Sequence, residues 1–285
     1  MKREEMLTRR GFLSASGAAA FAVGLPKGNA HGEEASAPKD RFCGLKVGIA
    51  SYSTREFTLD QTIEMAKRLD VRYLTLKDFH LKMDTTAEER NEAARKIKDA
   101  GLVLMGGGVI YMKNDEKQVR NAFEYARDAG MPVIVGAPDI DALPLVEKMV
   151  NEFDIKVAIH NHGPGDNKYP SPLDAYRCAL PYDKRIGLCI DIGHSVRWGD
   201  NEIEVIRAVK DRLYDFHIKD VSARAKEGKM IEIGRGVIDI PGVLKTLMEI
   251  GFTGHVALEY EKESKDPLPG MAESFGYLRG VLAVL

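Results

Sequence analysis

IGLCIDIGH at residues 186–194 is the stretch that decides the fold. Ile186 to Ile190 form a short apolar run, which predicts a strand buried in the protein core. Asp191 stands at the C-terminal tip of this strand, Gly193 permits a sharp turn, and His194 follows. The stretch therefore predicts a buried strand that ends in side chains capable of chemistry.

Three other apolar runs carry the same kind of polar side chain at their C-terminal ends. They are IKVAIHNH at 155–162, LYDFHIKD at 213–220 and HVALEYE at 255–261. In a barrel of parallel strands the C-terminal strand ends meet at one face, and active sites lie at that face. Four successive strands that each end in His, Asp or Glu therefore predict one shared site.

Short apolar runs alternate with longer amphipathic segments from Leu45 onward. Each run is apolar almost throughout, as expected for parallel strands that are buried on both faces. The runs lie at 45–50, 71–76, 102–107, 132–137, 155–160, 186–191, 213–218 and 255–260. This alternation predicts the α/β class and a (β/α)8 TIM barrel that forms a single domain over 45–285. A doubly wound open sheet is the alternative, but no glycine-rich phosphate loop follows the first run.

The segments between the runs have the sequence features of helices. Residues 58–69 carry apolar side chains at helical spacing, which predicts an amphipathic helix. Thr86 and Glu89 form a capping-box pattern at the start of the next helix. Glycines that would end helices precede three of the runs, at Gly101, Gly130 and Gly251.

The composition is that of an ordinary globular protein. The chain has 285 residues, of which 44% are hydrophobic and 29% are charged, and its formal net charge is -2. This balance of charge argues against binding of nucleic acid, which needs a basic surface. The cysteines are Cys43, Cys178 and Cys189, and their odd number without a CxxC pair argues against a disulfide framework or a cysteine zinc site.

The N-terminus, residues 1–30, predicts a Tat-type signal peptide. TRRGFL at 8–13 has the twin-arginine pattern, a weakly apolar run follows at 14–25, and small residues at 28–30 offer a cleavage point. The apolar run is shorter than the ~20 residues of a membrane span, so we expect no stable membrane insertion after signal removal. A disordered N-terminus with a chance arginine pair is the alternative. We expect export by Tat to the periplasm, with residues 31–44 as a linker.

Four strand-end side chains have the chemistry of metal ligands, namely His160, Asp191, His217 and Glu259. Imidazole and carboxylate together suit a divalent manganese, cobalt, zinc or iron ion. Such an ion acts as a Lewis acid on a carbonyl and stabilises an enediolate, and a nearby base completes the proton transfer. Each residue alone has a structural alternative, such as a helix N-cap at Asp191 or an ion pair at Glu259.

Two further side chains near these strand ends have more than one interpretation. Lys219 lies two residues after His217 and shares the inward face of its strand. It is a general acid if the metal lowers its pKa, or it forms an ion pair with Asp220 or Glu261. His162 either supports a metal ligand or contacts the substrate.

Two polar clusters in predicted loops are candidates for contact with a carbohydrate. Lys77 and His80 follow the second strand, and an exposed charged loop is the alternative there. Arg197 and Trp198 follow His194 and would form a hydrogen-bonding and stacking wall for a sugar. The alternative for Trp198 is the packing of a surface loop.

This pattern resembles the xylose isomerase-like barrel superfamily of sugar isomerases, ketose 3-epimerases, inosose dehydratases and endonuclease IV relatives. The resemblance covers about 45–282 and is carried by IHNHG at 159–163, DIGH at 191–194, HIKD at 217–220, IGRGVID at 233–239 and ALEYE at 257–261. It implies metal-ligand positions at Asp191, His217 and Glu259 and a substrate contact at His194. It also implies a loop within 233–239 that closes over the sugar.

One position departs from the ketose epimerases of this superfamily. Their fifth strand ends in a glutamate that is both ligand and base, and His160 stands at that position here. Their mechanism resembles an exchange between two carboxylates on opposite faces of the sugar, of which this chain keeps Glu259. The IHNH segment is more similar to the inosose dehydratase branch. A single base with a metal suffices for β-elimination beside a ketone or for an aldose–ketose shift on one face.

The first functional hypothesis is a metal-dependent isomerase or epimerase of a sugar or keto-sugar, with Glu259, Lys219 and His194 as catalytic residues. The alternative is a lyase or hydratase that acts on a 3-keto sugar, keto-glycoside or keto-inositol. A third hypothesis, of another class, is a sugar-binding barrel without catalysis. We expect one divalent metal ion as cofactor, a small carbohydrate as substrate and, by resemblance, a homo-oligomer.

Overall fold

The computed structural model describes residues 40–285, so the predicted signal peptide and most of the predicted linker lie outside the described residues. The strands are β1 (Lys46–Ala50), β2 (Tyr73–Leu76), β3 (Val103–Met112), β4 (Val133–Pro138), β5 (Lys156–His160), β6 (Ile186–Asp191), β7 (Leu213–Ile218), β8 (Asp220–Val221), β9 (Met230–Ile231) and β10 (His255–Leu258). The α-helices are α1 (Leu59–Arg68), α2 (Ala87–Asp99), α3 (Glu116–Asp128), α4 (Leu143–Phe153), α5 (Pro172–Ala179), α6 (Ile192–Trp198), α7 (Glu202–Ala208), α8 (Ile240–Glu249) and α9 (Leu268–Leu282). Within 40–285 no helix has the length and apolar character that a membrane crossing requires.

Eight of the strands close into a parallel barrel, in the order β1-β10-β7-β6-β5-β4-β3-β2. Each strand therefore pairs with its neighbours along the chain once the short β8 and β9 are set aside. Every residue of β6 is buried, as expected for a strand covered by side chains on both faces. The predicted (β/α)8 TIM barrel is confirmed.

Side-chain caps begin the first two helices, and the cap at Thr86 was predicted. Thr58 Oγ1 accepts a hydrogen bond from the backbone N–H of Gln61, and Thr86 Oγ1 accepts one from Glu89. In both cases the side chain three residues on accepts the backbone N–H of the cap in return. Each capping box satisfies donors that the first helical turn leaves free. The predicted closing glycines have positive φ, at Gly101, Gly130 and Gly251.

Three features of the barrel differ from the sequence prediction. β3 continues past residue 107 to Met112, because Gly108 has no side chain: a Cβ there would lie 1.9 Å from the carbonyl oxygen of Val135 on β4. Two helices, α6 and α7, connect β6 to β7 where one was predicted. β8 and β9 form an antiparallel hairpin after β7, and strands of two residues are too short to leave a pattern in the sequence.

The end of the predicted linker belongs to the barrel. Phe42 is buried, and the thiol of Cys43 donates to the carbonyl oxygen of Leu282 at the end of α9. Asp40 accepts hydrogen bonds from the backbone N–H groups of Phe42 and Gly44, which shapes the turn before β1. Residues 41–44 therefore pack as part of the domain.

His255 opens β10 at the barrel end opposite the predicted site. Its Nδ1 lies 2.8 Å from Thr75 Oγ1, and burial lowers the pKa of His255 to about 3. An unfolded histidine has a pKa of ~6.5, so below that pH the unfolded state takes up a proton that the folded state rejects. His255 therefore reduces stability as the pH falls from about 6.5 toward 3.

We expect His255→Gln to weaken this acid sensitivity. Between pH 7 and pH 4 the wild type should lose about 3 kcal/mol more unfolding free energy than the variant, from the difference between pH 4 and the unfolded pKa. Urea unfolding at both pH values measures this difference. Equal losses in the two proteins would show that His255 does not carry the acid sensitivity.

Candidate active site

The four predicted metal ligands meet at the C-terminal face of the barrel. His160 ends β5, Asp191 ends β6, His217 lies in β7, and Glu259 directly follows β10. Asp191 and His217 are paired directly in the register of β6 and β7. The backbone N–H of Glu259 continues the β7–β10 ladder by donating to Ile218. Strand register, rather than loop conformation, therefore places these side chains.

The ligand-type atoms of the cluster face one point. His160 Nε2 lies 3.1 Å from His217 Nδ1 and 3.5 Å from Asp191 Oδ2. His217 Nδ1 lies 3.3 Å from Glu259 Oε2 and 4.0 Å from Asp191 Oδ2. Atoms bound ~2.1 Å from one tetrahedral centre are separated by about 3.4 Å, so the set fits a single divalent ion. Each of the four offers one atom within 4.8 Å of the others.

Asp191 has the geometry of both predicted roles, the helix N-cap and the ligand-type side chain of the cluster. Oδ1 accepts the backbone N–H of His194 and caps α6, while Oδ2 points into the cluster. Asn161 fixes this strand end from β5: its side-chain amide donates to the Asp191 carbonyl oxygen and accepts the Asp191 N–H. Because Asn161 holds the Asp191 backbone and the cap holds Oδ1, the carboxylate has little freedom to turn away from the cluster.

Lys219 extends its ammonium into the same cluster. Nζ lies 2.8 Å from Asp191 Oδ2 and 2.7 Å from Glu259 Oε2, and it also contacts the carboxylate of Glu261. The predicted ion pair with Glu261 is therefore present. The one considered with Asp220 is not, because the Asp220 carboxylate instead accepts backbone N–H groups of the 233–239 loop.

These contacts set the charges of the cluster. Burial is the largest effect and would raise the pKa of Asp191 and of Glu259, but the ammonium of Lys219 together with the neighbouring histidines outweighs it and holds both pKa values well below the usual range. Burial opposes the charge of Lys219, yet the carboxylates raise its pKa well above the ordinary value. The three side chains therefore form a buried ionic network.

The two histidines of the cluster are buried. Burial lowers the pKa of His160 to about 3, so its imidazole is neutral and able to bind a metal. Burial acts the same way on His217, but Glu259 together with Asp215 and Asp191 outweighs it and raises the pKa of His217. Within 40–285, His160 Nδ1 and His217 Nε2 have no hydrogen-bond partner. Asp215 Oδ1 lies 3.8 Å from His217 Nε2, where a closer approach would orient the ring toward the cluster.

Cys189 lies below the cluster and forms a second set with His160 and His217. Burial, with Asp215 next, raises the pKa of the Cys189 thiol well above its usual value. A protonated thiol is a poor metal ligand, since the thiolate is the form that binds. The set with two carboxylates is therefore the better candidate for a metal site.

His162 and His194 stand beside the cluster at the mouth of the barrel. Their ring centroids are 5.9 Å apart, and burial lowers the pKa of each imidazole. His162 also stacks on Tyr111 and lies 3.3 Å from Asp166. Tyr111 was not predicted, because the sequence prediction ended β3 before it. Neutral imidazoles at this position can donate to and accept from sugar hydroxyls.

The predicted loop contacts separate into two groups. Lys77 donates to the carbonyl oxygen of Val109 and lines a cavity of about 380 Å³ together with Tyr111. His80 is buried, and its ring nitrogens lie 2.9 Å from Ser51 Oγ and 3.0 Å from the Phe57 carbonyl oxygen. Both nitrogens of His80 are thus used by the protein, so His80 shapes the loop instead of contacting substrate.

Arg197 and Trp198 end α6 and differ in their surroundings. Arg197 lines a cavity beside the cluster, together with His194 and Lys219. Trp198 does not line that cavity, and 47% of its surface is exposed. The structure therefore does not bring Trp198 together with Arg197 at this cavity.

Residues 53–281 match the protein family described as the xylose isomerase-like TIM barrel. The chain belongs to this family. Inosose dehydratase of Geobacillus thermodenitrificans is 25% identical over 258 residues, which cover 83% of this chain and 82% of that protein.

Solved structures of low sequence identity share the fold. The structure of L-ribulose 3-epimerase matches with a TM-score of 0.69 at 15% identity, over 84% of this chain and 95% of that one. The probable 3-DHS dehydratase AsbF of Bacillus anthracis matches with a TM-score of 0.66 at 13% identity, over 82% of this chain and 98% of that one. These structural neighbours include an epimerase and a probable dehydratase.

Proposed function

We propose that the protein is a metal-dependent enzyme that removes a proton from the carbon next to the carbonyl of a sugar or keto-sugar. The observation that carries the proposal is the convergence of His160, Asp191, His217 and Glu259 on one point at the C-terminal barrel face. Held by these residues, a divalent ion would supply Lewis-acid chemistry for the carbonyl. Membership in a family of isomerases, epimerases and dehydratases supports this reaction class.

Glu259 is the base in this proposal. Its carboxylate is ionised at neutral pH because Lys219 holds its pKa low. Asp191 has one carboxylate oxygen in the cap of α6, and the corresponding end of β5 carries the neutral His160. The neutral rings of His162 and His194 would orient the hydroxyl groups of the substrate.

A single carboxylate base favours reactions completed on one face of the substrate. Glu259 can return its proton to a leaving hydroxyl or alkoxy group, which gives a lyase. The 25% identity to an inosose dehydratase supports this class, with a 3-keto sugar, keto-glycoside or keto-inositol as substrate. An isomerase or epimerase of a keto-sugar is the second candidate, because it begins with the same proton abstraction. Export by Tat stays a prediction that favours a substrate outside the cytoplasm.

The first experiment measures the metal content of the purified protein by elemental mass spectrometry. We expect about one equivalent of a divalent transition metal. The double variant Asp191→Ala/His217→Ala should lose this metal. Absence of metal in the wild type, even after incubation with manganese, cobalt or zinc, would overturn the metal-dependent proposal.

The second experiment tests proton abstraction in deuterium oxide. The protein is incubated, with and without a chelator, with methyl 3-keto-glucoside, scyllo-inosose or D-fructose. Mass spectrometry then measures the masses of the products. Loss of water or of methanol identifies a lyase, whereas deuterium uptake without loss identifies an isomerase or epimerase. Binding without deuterium uptake would instead support the sugar-binding barrel.

A further inference from the structure

A cavity of about 320 Å³ opens beside the metal-type cluster. It is lined by Lys219 of the cluster and by the neighbouring His194, and it extends outward between α6 and the β8–β9 hairpin. Gly193 forms part of its wall, where a Cβ would lie 3.1 Å from the Lys219 side chain. A substrate that reaches Glu259 with one end can therefore extend its other end into this cavity.

The charged residues that line the cavity are unbalanced. The cations are Arg197, Lys219, Lys229 and Lys262, and the single carboxylate is Glu261. Lys219 contacts Asp191, Glu259 and Glu261, and Lys262 is paired with Glu232. The positive charge that remains in the cavity comes from Arg197 and Lys229.

Arg197 and Lys229 have no carboxylate partner within 40–285. Arg197 Nη2 donates to the carbonyl oxygen of Lys226 at 2.7 Å, and its Nε is buried without a partner among the described residues. A guanidinium that lines a cavity without a carboxylate partner is available to an anionic ligand. His194 and Arg197 are three residues apart, so they share one face of α6.

We propose that the substrate carries a carboxylate, which Arg197 and Lys229 bind while the carbonyl end of the substrate faces Glu259. The inference rests on the proposed function, because it assumes that the reacting end lies at the cluster. A guanidinium matches the planar, two-oxygen geometry of a carboxylate, and a lysine adds a second positive charge. The substrate class is then a keto-sugar acid, in which one end is oxidised to a carboxylate.

Binding of three ketoses with the same carbon skeleton tests this inference by titration calorimetry. D-Fructuronate carries a carboxylate at the end where D-fructose carries a hydroxyl and D-fructose 6-phosphate carries a phosphate. We expect fructuronate to bind the wild type about 10- to 100-fold more tightly than fructose, as one or two charge-assisted hydrogen bonds allow. In Arg197→Gln/Lys229→Gln this preference should shrink to about threefold or less.

Lys226→Gln is the matched control, because it removes a nearby exposed charge that does not line the cavity. It should keep the preference for fructuronate. Equal affinity of the wild type for fructuronate and fructose, or a preference that survives in the double variant, would overturn the inference. Tighter binding of the phosphate than of the carboxylate would also overturn it, in favour of a phosphorylated substrate.

Binding and turnover separate this inference from the proposed function. A preference for fructuronate that depends on Arg197 and Lys229, without deuterium uptake at the carbon beside the carbonyl, supports the anion subsite and rejects the proposed reaction. Deuterium uptake from keto-sugars without a preference for the acid supports the reaction and rejects the subsite. Unchanged thermal unfolding of the double variant shows that its fold is intact.

Discussion

Glu259→Gln is expected to lower the rate of deuterium uptake next to the substrate carbonyl by about 10²- to 10⁴-fold, the range for loss of a general base. The amide keeps the size of the side chain but cannot accept the proton, and it is a weaker metal ligand than a carboxylate. The effect is measured at saturating metal concentration, with a keto-sugar that the wild type converts, and deuterium uptake is monitored by mass spectrometry. Because the metal is saturating, a lower rate reports loss of the base and not loss of the ion.

Glu152→Gln is the control for this substitution. Glu152 lies on α4 and is paired with Arg120 at the surface, so removal of its charge should leave deuterium uptake unchanged. Uptake by Glu259→Gln at the rate of the wild type would assign the base to another residue. The pH profile adds a second criterion: because the pKa of Glu259 is held well below its usual range, its ionisation should not limit the rate near neutral pH.

The barrel and the strand-end cluster could be predicted because both depend on local patterns. Each apolar run is a strand by its own composition, and parallel closure brings all C-terminal ends to one face. His160, Asp191 and His217 needed no information about loops, since strand register alone brings them together.

Residues whose role depends on distant partners could not be assigned from the sequence. Nothing in the segment Lys77 to His80 indicates that Ser51 and Phe57 use both nitrogens of the His80 ring. Trp198 follows Arg197 directly, yet of the two only Arg197 lines the cavity beside the cluster.

Asp215 is different, because the sequence did contain an indication of its position. It interrupts an apolar strand two residues before His217, and that spacing places both side chains on the inner face of β7. Burial raises the pKa of Asp215 to about 6, as expected for a carboxylate in an apolar strand. A buried carboxylate beside a predicted metal ligand is a candidate to orient that ligand.

Lys219→Met is expected to destabilise the metal-free protein by about 3–5 kcal/mol, the cost of removing one partner from a buried ionic network. Lys219 is only 3% exposed, and its loss leaves Asp191 and Glu259 close together without a neutralising charge. A loss of this size lowers the Tm by roughly 10 °C in a domain of this length. Thermal unfolding in the presence of a chelator measures the change.

A divalent metal should reverse much of this loss. The ammonium of Lys219 contacts the same two carboxylate oxygens that face the candidate metal position, so the lysine and the ion neutralise the same charge. Removal of a positive charge so close to the ion should tighten metal binding by about tenfold or more. We therefore expect added zinc or manganese to raise the Tm of Lys219→Met more than that of the wild type.

Lys148→Met provides the comparison, since Lys148 pairs with Glu116 on the surface and about half of each side chain is exposed. Loss of this pair should cost no more than about 1 kcal/mol, and metal should not change the result. If Lys219→Met is as stable as the wild type without metal, the ionic network does not stabilise the barrel. If metal raises the Tm of Lys219→Met and of the wild type equally, the ion binds elsewhere than beside Lys219. Only an ion that shares Asp191 and Glu259 with the ammonium can replace its charge.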